Sequence, residues 1–128
     1  MIEPLVTIDS TRPVPPYAQI RDQIADLVEA GGLAEGARLP SVRQLAGDLG
    51  LAAGTVARAY QELESGGYVT TRRGGGTRVA RQPVAAPGRR SALIERHARE
   101  YVDSVRRLGA DRAEAVAAVL TAFDASPH

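Results

Sequence analysis

Arginine is the residue type in this chain with the most chemistry to offer, and its placement is uneven. All 16 basic residues of the 128 are Arg. Residues 38–81 hold seven Arg against three acids, residues 1–37 two against six, and residues 82–128 seven against six. The middle third is therefore cationic inside a chain whose net charge is only +1. A guanidinium presents a planar fork of donors that fits a phosphate or a guanine edge, so this third points to an acidic polymer as partner. The exclusive use of Arg, beside abundant Ala and Gly, is also what a GC-rich genome produces.

Within that third lies "LGLAAGTVARAY", residues 49–60, which reads as the start of a helix with its side chains pared away. Helices open on Ser, Thr, Asp or Asn, whose side chain satisfies a free amide. Here Ala52 or Ala53 occupies the cap position, followed by Gly54 and Thr55. A small-residue tip lets another molecule approach the helix backbone, and uncapped amides with the helix dipole suit a phosphate oxygen. Capping by water is the other reading of the same residues.

Other chemistries are poorly served. Cys is absent, which removes disulfides and thiolate metal sites. His97 and His128 are the only His, and none of Ser10, Ser41, Ser65, Ser91, Ser104 and Ser126 has the surroundings of a nucleophile elbow. "RRGGGTR" shares only its glycines with a phosphate loop and lacks G-K-[ST]. No enzyme, metal site or cofactor is expected. The first residues carry Glu3, Pro4 and Asp9 and resemble no signal peptide, and no apolar run reaches the roughly 18 residues of a membrane span. A cytoplasmic protein without membrane association is expected.

These residues need a scaffold, and the aromatic content of 4% means that Leu, Val, Ile and Ala must fill its core. Residues 1–13 read as a loose or extended arm. Pro15 and Pro16 suit a helix start, and Tyr17, Ile20, Ile24, Leu27 and Val28 share one helical face before Gly31 and Gly32 end it. After the turn "LAEGARLP", Ser41 with Gln44 fits a capping box for a short helix with Leu45, Ala46 and Leu49 inward. Gly50 ends that helix. A third runs from about Ala53 to Ser65, with Val56, Ala59, Tyr60 and Leu63 as its buried stripe. "YVTTRR" and "TRVA", joined by Gly74, Gly75 and Gly76, read as a β-hairpin.

Helix, short helix, tight turn, third helix and hairpin make a winged helix-turn-helix, placed at residues 10–81. Such a module puts the N-terminal end of its third helix into the DNA major groove, which accounts for the bare tip at Ala53 and Gly54. "RQPVAAPGRR", residues 81–90, reads as a linker, bounded at 82–90, and two helices follow in a dimerisation region at 91–126. In the first of these, Ile94, Ala98, Tyr101, Val105 and Leu108 repeat at spacings of 4, 3, 4 and 3, a helix-pairing seam. The second, opened by "DRAE", offers Ala113, Val116, Leu120 and Phe123. The fold class expected is mainly α with a small hairpin: a winged helix-turn-helix and a two-helix tail.

"PPYAQIRDQI", "GLAEGARLPSVRQLAGDLGL", "TVARAYQELESGGYV" and "RRGGGTRV" closely resemble the N-terminal domain of the GntR family of bacterial transcription regulators. The likeness covers roughly residues 13–80, and the short two-helix tail is similar to that of the YtrA-like subfamily. The resemblance implies a homodimer bound to double-stranded operator DNA, a palindrome, and commonly a repressor of a transporter operon. Arg43 then matches a DNA-contacting Arg, Ser41 caps its helix beside the backbone, and Thr55 matches a contact at the recognition-helix tip. Arg58 lies one turn on, and Arg72, Arg73, Gly75, Gly76 and Thr77 match the wing, whose tip goes to the minor groove. Where many members carry Ser, Arg or Asn, this chain has Ala52, Ala53 and Gly54, so base contacts there do not carry over. Readout shifts towards Thr55, Arg43, the wing and DNA shape.

Each assignment has an ordinary counterpart. Arg43 also reads as a solvated surface residue, though less readily than as a DNA contact, Arg58 nearly as well as an i,i+4 partner of Glu62, and Arg72 with Arg73, less readily, as charges that keep an edge strand soluble. A winged helix used for protein contact alone is the rival function. Two helices can hardly enclose a ligand pocket of roughly 300 Å³ or more, so an effector, if one exists, is expected at a dimer interface. The sequence names no operator, regulated gene or inducer.

Overall fold

Glycine and proline punctuation sets the element boundaries. The computed structural model describes residues 5–82 and 88–125, with α1 at Pro16–Ala30, α2 at Val42–Leu49, α3 at Ala53–Ser65, β1 at Val69–Arg72, β2 at Gly76–Val79, α4 at Arg89–Arg107 and α5 at Arg112–Ala125. Pro16 takes the first helical position of α1, where its missing amide costs nothing. Gly31 ends α1 at φ 82° and Gly50 ends α2 at φ 67°, each donating its amide back to the last turn. Ser41 caps α2 by accepting from the Gln44 amide at 3.0 Å; the return bond of the expected capping box is absent among the described residues.

The first unit, which the chain contacts extend to Arg90, is built on one core. Ile20, Ile24 and Val28 of α1 meet Leu45 and Ala46 of α2 and Val56, Ala59, Tyr60 and Leu63 of α3, and Val69 and Val79 close it from the hairpin. Tyr17, Leu27 and Leu49, expected inward, are only half-buried at its rim.

Two expectations change here. The described part of the N-terminal arm is docked rather than loose, and it belongs to the same packed unit as residues 10–81. Val6 is buried in the core. Gln23 clasps Thr7 by two bonds, and the buried Gln19 accepts from the Asp9 amide at 2.9 Å and donates to the Asp9 and Val14 carbonyls. The turn before α2 is the second. Leu39 donates to the Thr77 carbonyl, while Val79 donates to Ala37 and Gly36 to Val79, so residues 36–39 lie along β2 through one isolated bridge, Arg38 to Arg78, beside the two-stranded sheet.

The second unit holds α4 and α5. Helix α4 starts at Arg89, inside the expected linker, and residues 83–87 of that linker lie outside the described residues. Gly109 at φ 84° ends α4, and Asp111 opens α5 by accepting from the Glu114 amide at 2.9 Å. No described helix is long and apolar enough to cross a membrane.

Candidate nucleic-acid interface

The helix pair α2–α3 is fixed from inside. Tyr60 on α3 donates its hydroxyl to the Pro40 carbonyl at 2.7 Å, which ties the entry of α2 to the middle of α3. Burial pushes the Tyr60 phenol up to about 12, so this donor keeps its proton throughout the neutral range. The Gly50 turn then brings the start of α3 out to the surface two residues later. Arg43 on α2 and Ala52, Ala53 and Gly54 at the α3 tip are all exposed.

The tip is as bare as its sequence. Ala52 stands at the cap position with extended backbone and no side-chain bond to the helix amides. Gly54 is exposed, its φ is ordinary, and an added Cβ would meet no atom within 4 Å. Neither backbone geometry nor internal packing requires Gly there. Thr55 is half-buried behind it, its amide turned to the Ala52 carbonyl at 3.1 Å.

The wing is three residues long at its tip. Gly75 donates to the Arg72 carbonyl at 3.0 Å, closing a turn that needs positive φ at Gly74. Gly76 follows at φ 70°, whereas Gly75 has an ordinary φ. Thr77 is half-buried, its hydroxyl 3.3 Å from that of Thr71. Arg72 at the end of β1 and Arg73 within the turn are both exposed.

The arginines of this unit fall into two groups. Arg21 pairs with Glu62 at 2.6 Å and with Asp22 at 2.9 Å, and Arg58 pairs with Glu62 at 3.4 Å. The Arg21 bond holds the Glu62 carboxyl below its usual range, with Arg58 adding to the effect. Arg58 also lies 3.7 Å from the centre of the Tyr17 ring and donates to the Tyr17 hydroxyl at 3.1 Å. It is thus held within the chain, as its spacing from Glu62 allowed. Arg38, Arg43, Arg72, Arg73 and Arg78 have no carboxylate within 4.0 Å among the described residues. Arg38 and Arg78 were not singled out from the sequence, because nothing in a one-dimensional reading placed residue 38 on the wing.

In the second unit the expected seam is divided. Tyr101 and Val105 are half-buried, and Tyr101 donates to the Ala115 carbonyl at 2.8 Å. Ala98 is exposed, as are Ile94 at 52% and Leu108 at 85%. On α5 it is Ala115 and Val119 that are half-buried, while Val116, Leu120 and Phe123 stay 47–66% exposed. A single copy leaves those three uncovered. An open groove of about 470 Å³, not enclosed by the two helices, runs between Tyr101, Val105, Val119 and Leu120.

A three-helix core, a third helix without a side-chain cap, and a basic glycine-tipped hairpin define a winged helix-turn-helix DNA-binding regulator. The model of the bacterial regulatory proteins of the gntR family matches residues 16–79, and the chain belongs to that family. It is 46% identical over 102 residues to the HTH-type transcriptional regulator Rv1152 of Mycobacterium tuberculosis, covering 80% of each chain. It is similar to YtrA from Sulfolobus acidocaldarius, a GntR-family transcription factor, at 29% identity and TM-score 0.58, over 83% of this chain and 99% of that one. The DNA-binding domain of AraR, solved in complex with operator ORX1, matches 59% of this chain and 94% of its own at 27% identity and TM-score 0.52. Family and relatives alike are transcriptional regulators rather than enzymes.

Proposed function

We propose that the protein is a cytoplasmic homodimeric repressor that binds a palindromic operator and controls a transporter-type operon. The observation that carries the DNA reading is the bare α3 tip in a unit where Arg38, Arg43, Arg72, Arg73 and Arg78 have no carboxylate within 4.0 Å among the described residues. The chain leaves open the place where phosphate would come, and leaves unneutralised the charges that would meet it. Arg43 approaches from α2, Ser41 and Thr55 bracket the helix starts, and Arg72, Arg73, Gly75, Gly76 and Thr77 form the wing that reaches the minor groove. Arg58 joins them only by giving up Glu62 and Tyr17, so we assign it first to the α1–α3 contact.

The second copy is supported by the uncovered Val116, Leu120 and Phe123, with Ile94, Ala98, Tyr101, Val105 and Leu108 on α4. Helix α5 is apolar on nearly all faces, and such a helix is stable when covered. Two-fold symmetry makes the operator a palindrome. Repression is supported by the likeness to the HTH-type transcriptional repressor YtrA of Bacillus subtilis, 40% identical over 76 residues. The transporter-type target rests on the likeness of the short tail to YtrA-like regulators.

A mobility-shift titration on the DNA upstream of the protein's own gene tests the reading. Specific retardation, with Arg43→Ala weakening it by about 1–3 kcal/mol, is the expected result. A protein that binds operator and random DNA equally weakly would instead favour a winged helix used for protein contact.

A further inference from the structure

The isolated bridge between residue 38 and β2 places a further arginine on the wing. Arg38 and Arg78 face each other across the pairing of residues 36–39 with β2. The bonds flank this pair, from Leu39 to Thr77 and from Val79 to Ala37. It is therefore the non-hydrogen-bonded kind, in which side chains stand closest. Like charges directly opposite each other destabilise a sheet. Here no described carboxylate lies within 4.0 Å of either.

Strand alternation puts both on the outer face. Val69 and Val79 are paired and buried, so Thr70 opposite Arg78, and Arg72 opposite Gly76, point outward. Gly76 is the diagonal neighbour of Arg38, and the Arg38 guanidinium lies over it: an added Cβ at Gly76 would fall 3.0 Å from Nε and 3.1 Å from Nη2. The missing side chain is what lets Arg38 reach across towards Arg72. Arg78 is steadied by donating to the Gly36 carbonyl at 3.1 Å.

We infer that Arg38 and Arg78, with Arg72, form a phosphate-binding face on the outer side of the wing sheet, which extends the DNA contact from the wing tip to its root. The proposal rests on the DNA-binding reading above. Phosphate oxygens between the guanidiniums would supply the counter-charge that the chain withholds, and both backbones are already fixed by strand pairing, so little ordering remains.

The test uses full-length protein and a random-sequence duplex, since a phosphate contact is independent of sequence. Fluorescence anisotropy across a salt series gives the slope of log affinity against log salt. Arg38→Gln should reduce the slope's magnitude by about 1 and weaken binding roughly eightfold at ~0.1 M salt. Arg38→Lys should keep the parent slope, and so should Arg107→Gln, which removes one charge from α4. Without DNA, Arg38→Gln should melt at or above the parent temperature, because a repulsion has been removed. A parent slope retained by Arg38→Gln overturns the proposal, and so does a lowered melting temperature with unchanged slope, which would make Arg38 structural. A parent that binds with no salt dependence overturns the DNA reading as well.

Discussion

The guanidinium of Arg58 lies 3.7 Å from the centre of the Tyr17 ring, joining the recognition helix to the first turn of α1. Glu62 completes the clamp by holding Arg58 and Arg21 together. Tyr17→Ala should lower stability by about 1 kcal/mol, from the lost cation–π contact and the ring's packing. Tyr17→Phe keeps the stack and should lose only part of that. Chemical denaturation measures both. For Arg58→Ala the same loss is expected, with an unchanged salt slope of DNA binding; a slope lowered by about 1 would make Arg58 a phosphate contact.

Glu62 gives the clamp a pH dependence. The Arg21 bond, with Arg58 adding to it, holds its folded pKa below the ordinary glutamate range. A depressed carboxylate stabilises the fold above its unfolded pKa, and that stabilisation is lost as pH falls through the folded value. Melting temperature should thus be steady from neutral pH down to about 5 and fall below that. In Glu62→Gln the parent's neutral-pH advantage should be gone, and the acid fall should be shallower. A parallel fall in both proteins would place the acid sensitivity elsewhere, Asp9 included.

Gly54→Glu separates folding from binding at the bare tip. An added side chain meets no atom within 4 Å there, and Glu is a better helix former than Gly by about 0.5 kcal/mol. An acid near a helix N-terminus is favoured as well. The free protein should melt at the parent temperature or above, while operator binding is largely lost. Undiminished binding would show that DNA phosphate does not meet this tip.

Association should be lost through α5. Leu120 is 59% exposed on the face where Val116 and Phe123 also stand uncovered. Leu120→Asp should sediment as a monomer with its helix content kept, and should bind a palindrome far more weakly because one half-site at a time is held. A chain ending at Pro87 should likewise be monomeric. A dimer in either case would move the interface to the first unit.

Gly31, Gly50 and Pro16 fixed the helix ends because φ near +70° to +80° and a missing amide are properties of single residues, readable wherever they stand. The buried stripe of α3 was legible for the same local reason: Val56, Ala59, Tyr60 and Leu63 recur at the helical period and are all buried. So was the uncapped tip, since Ala52 can offer no side-chain acceptor in any fold. The tertiary structure decided what depended on partners distant in sequence. Tyr17 and Arg58 are 41 residues apart, and only the packing of α1 on α3 brings the Arg58 guanidinium onto the Tyr17 ring. Gln19 and Val6 drew the arm into the unit through bonds and burial that no periodicity announces. Residues 36–39 carry too short a pattern to read as a strand, because a single bridge to Arg78 exists only once β2 is beside it. Helix α5 is apolar almost all round, so its sequence could not say which side turns to α4; the fold chose Ala115 and Val119, and left Leu120 and Phe123 to solvent or to another copy.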